Sequence, residues 1–455
     1  MTSHNLMIVG RTISLLFLIG GLFSCGTVHS SDDTLGEDTQ DVREETNIDT
    51  RQALVKDFLD SVGPETFDGD EIYSLGLTPS QKEITEKCND NAFKLLDACY
   101  QGGDIFISPL GVEYVLGMLY DAADETTSKE IGDFLSDGKA GKEELDAYFR
   151  LLTRNIPLLD KRLTFSVANA AFVDNSFKIN PAYKSGAVDT FNALAAEMDF
   201  SDPAFVKEVV NQWCKIHTNE MIPELLSEDT PLSLAILLNA LYFKGPWGMA
   251  VDPDNNIDAP FTSSDGSKAD VTYMKSPNNI LKFFSTEDFR SVLIPFGERG
   301  QFNMTVLLPG PGRSIEDIVG LMQDGGWSSM NEAMSLEHVN VTIPKFETET
   351  SKGLKEVLSG IGLGEAMSPS ATYPGMLLGA ERISVSDIHQ KTRIKVSENG
   401  IEAAAATYST LGTANPGDNE EPTYVDFTAD HSFVYVISTE EEKIVLFSGV
   451  FEGKK

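Results

Sequence analysis

Glu398-Asn399-Gly400-Ile401-Glu402-Ala403-Ala404-Ala405-Ala406-Thr407 supports two incompatible local structures. Consecutive alanines after a glutamate favour helix, because alanine loses no side-chain freedom on entering one. Alternation gives a different result. Ile401, Ala403, Ala405, Thr407, Ser409 and Leu411 fall on one small or apolar face, and Glu402, Tyr408 and Thr410 on the other. A strand with such a face can enter between existing strands without overpacking a dense interior. Gly400 adds backbone freedom where that strand would turn in. These residues alone leave a surface helix and an inserting strand both open, so the surrounding chain must decide.

The chain has 455 residues, 41% of them hydrophobic, enough for one large domain or roughly two to three average ones. Its net charge of -35 would repel a polyanion, which argues against nucleic acid as a partner. Arg11 precedes an apolar run, Ile13 to Phe23, of signal-peptide length and too short to span a bilayer comfortably. The run ends in Leu22-Phe23-Ser24-Cys25-Gly26, similar to a bacterial lipobox except for the bulk of Phe23. Residues 1–24 then read as a lipoprotein signal peptide and Cys25 as the lipidated amino terminus; a plain signal peptide is the alternative. The first reading implies export and lipid anchoring at a bacterial cell envelope, with no other membrane contact, and the second an extracellular protein. Ser30 to Thr50 is rich in Asp, Glu, Ser and Thr, so residues 25–76 are expected to form an acidic flexible tether. Its acidic residues fit an outer-surface export signal and a mere spacer equally well.

Cys88 and Cys99 are expected on one helix, roughly 16 Å apart at 1.5 Å per residue and beyond disulfide reach. No CxxC or HExxH occurs, and neither a metal nor another cofactor is implied.

Gln81 to Tyr100 has apolar residues at helical spacing behind the start signal Thr78-Pro79-Ser80, which puts the beginning of the folded part near Leu77. Further helices are expected at Pro109 to Tyr120, Thr126 to Leu135, Glu144 to Asn155, Pro181 to Phe191 and Pro203 to Thr218. Ala235 to Phe243, Val292 to Pro295, Asn303 to Leu308, Val339 to Ile343 and Ile383 to Val385 read as strands. Phe433 to Ile437 and Ile444 to Phe451, separated by a charged turn, read as an antiparallel hairpin. With no repeat and no Pro- or Gly-rich linker after Leu77, residues 77–455 read as one large α+β domain.

Several motifs then appear in order. Phe106-Ile107-Ser108-Pro109-Leu110 is followed by Leu116 to Tyr120, then by Leu238-Asn239-Ala240-Leu241-Tyr242-Phe243-Lys244-Gly245-Pro246-Trp247. Val341 to Phe346 and Ser386-Asp387-Ile388-His389-Gln390-Lys391 come next, and Glu398 to Thr407 closes the series. From about Leu77 to Phe451 the chain resembles the serpins, inhibitors of serine and cysteine proteases. The resemblance implies an α+β fold of about eight to nine helices around about three β-sheets, with an exposed reactive-centre loop at residues 398–426. It also implies a monomeric protease inhibitor rather than an enzyme, with target proteases as partners. No G-x-S-x-G elbow or dinucleotide fingerprint argues for an enzyme instead.

By the same resemblance, cleavage lets the loop insert into the main sheet and drags the acylated protease with it, releasing stored strain. The hinge would be Glu398, Asn399, Gly400, Ile401, Glu402, Ala403, Ala404, Ala405, Ala406 and Thr407. Counting seventeen residues from Glu398 gives Ala414–Asn415 as the scissile bond, with Gly412 and Thr413 as the alternative positions. Ser108, Asn239 and His389 match a polar cluster beneath the parting strands, and Trp247 matches the aromatic where insertion starts. A structural histidine and a core tryptophan are the plainer readings of the last two. Three positions depart from the family pattern: Ile401 replaces a small hydroxyl residue, Gly111 a second serine, and Glu220 a glycine after the sixth helix. Val396 to Glu442 contains no lysine or arginine, so a trypsin-like pocket is poorly served. Ala414 suits the shallow pocket of an elastase- or subtilisin-like enzyme. A non-inhibitory member acting as a binding or scaffolding protein is the alternative.

Overall fold

Side-chain caps set several helix starts of this chain. Thr78 accepts from the Gln81 amide while the Gln81 side chain accepts from the Thr78 amide, and this capping box opens the helix Pro79–Cys99. Ser108, Asn180 and Asp202 cap Pro109–Ala122, Pro181–Phe191 and Pro203–His217, each with proline in the first turn. The expected helices are all present, with ends displaced by at most two residues. The structure is a computed structural model that describes residues 51–60, 69–227, 232, 235–379, 383–385, 388–401 and 423–454.

The core is a nine-stranded sheet whose strands Phe302–Pro309, Phe433–Thr439 and Val445–Phe451 are buried at every position. The last two form the expected antiparallel hairpin, with Val434 opposite Val450. Over this core lie two blocks of three strands. In one, Thr164–Asp174 runs between Ala193–Met198 and Ala235–Lys244. In the other, His389–Ser397 runs between Phe346–Gly353 and the two-residue strand Gly400–Ile401. Among the described residues, the backbone hydrogen bonds joining these blocks are the reciprocal pair between Gly245 and Ile401, at 3.0 and 2.9 Å.

Two expectations fail. Ile383 and Val385 are buried but belong to no strand, which begins only at His389. Their carbonyls accept from the Tyr373 amide and the Lys355 ammonium instead of a neighbouring strand, so apolar burial here reflects loop packing. The folded part also starts before Leu77. Residues 51–60 are helical, and Val55 and Leu59, four apart on one face, are buried against Phe172, Leu194, Met198, Val206 and Trp213. Leu75 packs into the main core, and Glu71 pairs with Arg299 at 2.6 Å. The described part of the expected tether is therefore docked structure. Among the described residues there are ten α-helices: nine between Pro79 and Gly360, and the one over 51–60.

Candidate functional site

The segment from Ser397 to Ile401 is held at the junction of the two blocks. The Trp247 indole donates to the Ser397 carbonyl at 2.8 Å, and its ring stacks on Phe296 with centroids 4.9 Å apart. Trp247 is thus both a core residue and a contact of the segment Ser397 to Ile401. Lys345 reaches the Glu398 carboxylate at 2.9 Å, and the Asn256 amide donates to the same oxygen. Burial works to raise the Glu398 carboxyl, but Lys345, Glu398's own amide and Asn256 outweigh it and hold it below its ordinary 4.5. This favourable contribution is complete above about pH 4.5 and is lost as the pH falls through the lowered value.

Beyond Glu398 the chain turns into the gap. Gly400 has φ 104°, and a Cβ there would lie 2.1 Å from the Gly245 carbonyl oxygen, so glycine is demanded by both conformation and space. Ile401 pairs with Val396 on one side and Gly245 on the other. Its side chain is 2% exposed and borders a cavity of ≈ 20 Å³ with Leu241, Phe243, Ile394, Ile437 and Phe447. An apolar β-branched residue suits that environment, which accounts for the departure from a hydroxyl side chain. Glu402, Ala403, Ala404, Ala405, Ala406 and Thr407, the bond Ala414–Asn415, and Cys25 lie outside the described residues. Asn399 is described, in the turn between the two short ladders.

The polar cluster is assembled differently from the expectation. Ser108 donates through Oγ to the Leu446 carbonyl at 2.9 Å and caps its helix through the Gly111 amide. Asn239 donates to the Asn169 side-chain oxygen at 2.8 Å, and Asn169 in turn to the Phe191 carbonyl. A Cβ at Gly111 would meet the Asn239 oxygen at 2.4 Å, so the missing second serine is the space this asparagine fills. Gln390, not His389, joins the strand to Ser108: the Ser108 amide donates to Gln390 Oε1 at 2.9 Å and Gln390 Nε2 donates to the Ser108 carbonyl at 2.8 Å. Among the described residues His389 makes no hydrogen bond to Ser108 or Asn239, and its Nε2 faces Ser351 Oγ at 3.3 Å. Alternation along the strand turns neighbours to opposite faces, so an offset of one residue moves the contact to another side chain.

The connection after Pro203–His217 covers the cavity, with Thr218, Met221 and Ile222 on its wall. Asn219 and Glu220 both have positive φ, 49° and 65°, and Asn219 donates to the Tyr242 hydroxyl at 3.2 Å. Glu220 therefore occupies a conformation that a glycine would take without strain. Any strand entering between Ala235–Lys244 and His389–Ser397 must displace this cover.

Several contributors were missed by sequence reasoning. Lys345 and Gln390 lie inside motifs singled out above, adjacent to or among conspicuous residues, whereas Asn256 and Asn169 carry no local signal.

Residues 86–452 match the Serpin (serine protease inhibitor) family. Human glia-derived nexin is 30% identical over 76% of this chain and 86% of its own length. An uncharacterised serpin-like protein of Thermococcus kodakarensis is 28% identical, over 83% and 87%. The crystal structure of native protease nexin-1 with heparin superposes with a TM-score of 0.71, at 26% identity, covering 82% of this chain and all of that one. With Gly400 and Ile401 lodged between two strand blocks of an α+β fold and the family pattern running through the folded part, this chain belongs to the serpin family.

Proposed function

We propose that this chain is a suicide inhibitor of serine endopeptidases of elastase- or subtilisin-like specificity, with papain-like cysteine endopeptidases as a second class. The observation that carries the reading lies within the hinge: Ile401 is paired with Val396 on one side and with Gly245 of the other block on the other, and Gly400 is paired with Ser397. The residues that follow, Glu402 to Thr407, alternate small side chains in phase with Ile401. Ladder growth from Ile401 would bring Ala403 and Ala405 onto the buried face that Ile401 already occupies.

In the proposed reaction the protease's seryl oxygen attacks the Ala414 carbonyl, and the Asn415 amine leaves after taking a proton. The Ala414 acyl group stays on the serine. Freed of its distal attachment, the segment from Glu402 onward enters the sheet, Thr218 to Ile222 yield, and Ser108, Asn239 and Gln390 exchange partners as the strands part. Insertion must outrun water's attack on the acyl-enzyme for inhibition to prevail. Export and retention at a bacterial envelope through lipid on Cys25, as a monomer, complete the reading; their support is the apolar run Ile13 to Phe23 and the lipobox-like Leu22 to Gly26.

Incubation with elastase-, subtilisin- and papain-type proteases, followed by denaturing electrophoresis, tests the activity. A denaturant-stable band at the mass of the protease plus the chain up to Ala414 is expected with at least one of them, the fragment from Asn415 onward separating on denaturation. Loop cleavage by all of them without such a band would leave a binding or scaffolding serpin.

A further inference from the structure

The sheet beside the loop's return bears an apolar row on its outer face. Strand Ser335–Pro344 pairs with Lys268–Ser285, placing Ile280 opposite His338 and Leu336 opposite Lys282. Ile280 and Leu336 are therefore diagonal neighbours on one face, and they are 61% and 68% exposed. On its other edge Ser335–Pro344 pairs with Val425–Thr428, Val339 opposite Val425. Tyr424 thus comes beside His338, their ring centroids 5.3 Å apart. The row runs from Lys268–Ser285 across Ser335–Pro344 to Tyr424, the residue before the strand Val425–Thr428. An outward sheet position ordinarily carries a polar side chain, and two large aliphatic ones side by side mark a contact surface.

We infer that Ile280, Leu336 and Tyr424 form a docking surface for a cationic serine endopeptidase, engaged while the reactive loop fills that enzyme's cleft. The inference rests on the inhibitory reading above. Reach supports this occupant: from Ala414 to Tyr424 the chain spans at most roughly 35 Å when extended. An endopeptidase domain of about 200 residues is roughly 40 Å across, so the row lies within reach of one that grips Ala414. Charge supports it too. Residues 416–423 include Asp418, Glu420 and Glu421 with no basic residue, Lys282 is ion-paired with Glu440, and the chain as a whole has net charge -35. A partner presenting an apolar patch with a basic rim beside its cleft meets both features.

The test compares the full chain with Ile280→Thr/Leu336→Thr, which keeps strand-compatible side chains, and with Leu378→Thr, an exposed aliphatic on another sheet. Each is reacted with a cationic elastase, and the second-order rate and stoichiometry of covalent-complex formation are read. The double variant is expected to react about tenfold more slowly at unchanged stoichiometry, with Leu378→Thr at the parental rate. Raising salt from about 50 mM to about 500 mM should slow the parental reaction further. A double variant within about twofold of the parental rate overturns the proposal. If the parental chain is cut without forming a complex, the inhibitory reading falls while the same comparison, made on the cleavage rate, still decides whether the row docks the enzyme.

Discussion

Glu113 is fully enclosed in the helix Pro109–Ala122, beside the Cys88 thiol of the preceding helix. Burial pushes its carboxyl up to about 8 from 4.5, so between those values the unfolded chain has released a proton that the native state retains. Stability then falls as the pH rises across that interval, by about 1 kcal/mol per pH unit from this group, and levels off above it. Glu113→Gln should remove the slope: thermal midpoints of variant and parent, measured from pH 5 upward, are expected to diverge in the variant's favour toward pH 8. Parallel profiles would contradict it. Glu220 makes an opposite kind of prediction. Its φ of 65° strains an L-residue, and its exposed contact with Lys215 at 3.9 Å returns little. Glu220→Gly should stabilise the native state by up to about 1 kcal/mol, read as a raised thermal midpoint, whereas a lowered midpoint would mean that the side chain holds the cover in place.

Elements whose signals are local were legible in the sequence. Thr78, Ser108, Asn180 and Asp202 announce helix starts because a cap acts within its own turn. The helix over 51–60 was not legible, since its amphipathic face acquires meaning only against Phe172, Leu194 and Trp213, far along the chain. For the same reason Ile383 to Val385 looked like a strand: buried apolar residues in a loop have the same pattern. At the site, Gly400 and Trp247 could be placed from their motifs. Gln390 was hidden one position beside a more conspicuous histidine, and Asn256 required the folded chain. The docked helix is directly testable. Val55→Ser with Leu59→Ser removes two buried aliphatic side chains, at a cost of about 3–5 kcal/mol if both stay docked, less if the helix detaches. The expected result is a lower thermal midpoint together with faster proteolytic nicking near residues 51–60. Neither change would mean that the helix contributes nothing to the native state.

At the scale of the molecule, the proposed insertion is one event that would change the topology of the sheet. Two three-stranded blocks rest on a buried core and share, among the described residues, a single reciprocal backbone pair at Gly245 and Ile401. If residues after Ile401 extend that pairing once the loop is cut, both blocks gain a common strand. About ten new ladder hydrogen bonds at about 1 kcal/mol each would add about 10 kcal/mol, before the burial of Ala403 and Ala405 is counted. In the proposed mechanism the hinge, Glu398 to Thr407, completes the sheet after cleavage. Thermal unfolding of the intact chain and of the chain cut once within residues 408–415 tests it most directly. Cleavage is expected to raise the midpoint by about 10 °C or more, and an unchanged or lowered midpoint after a verified single cut would contradict it.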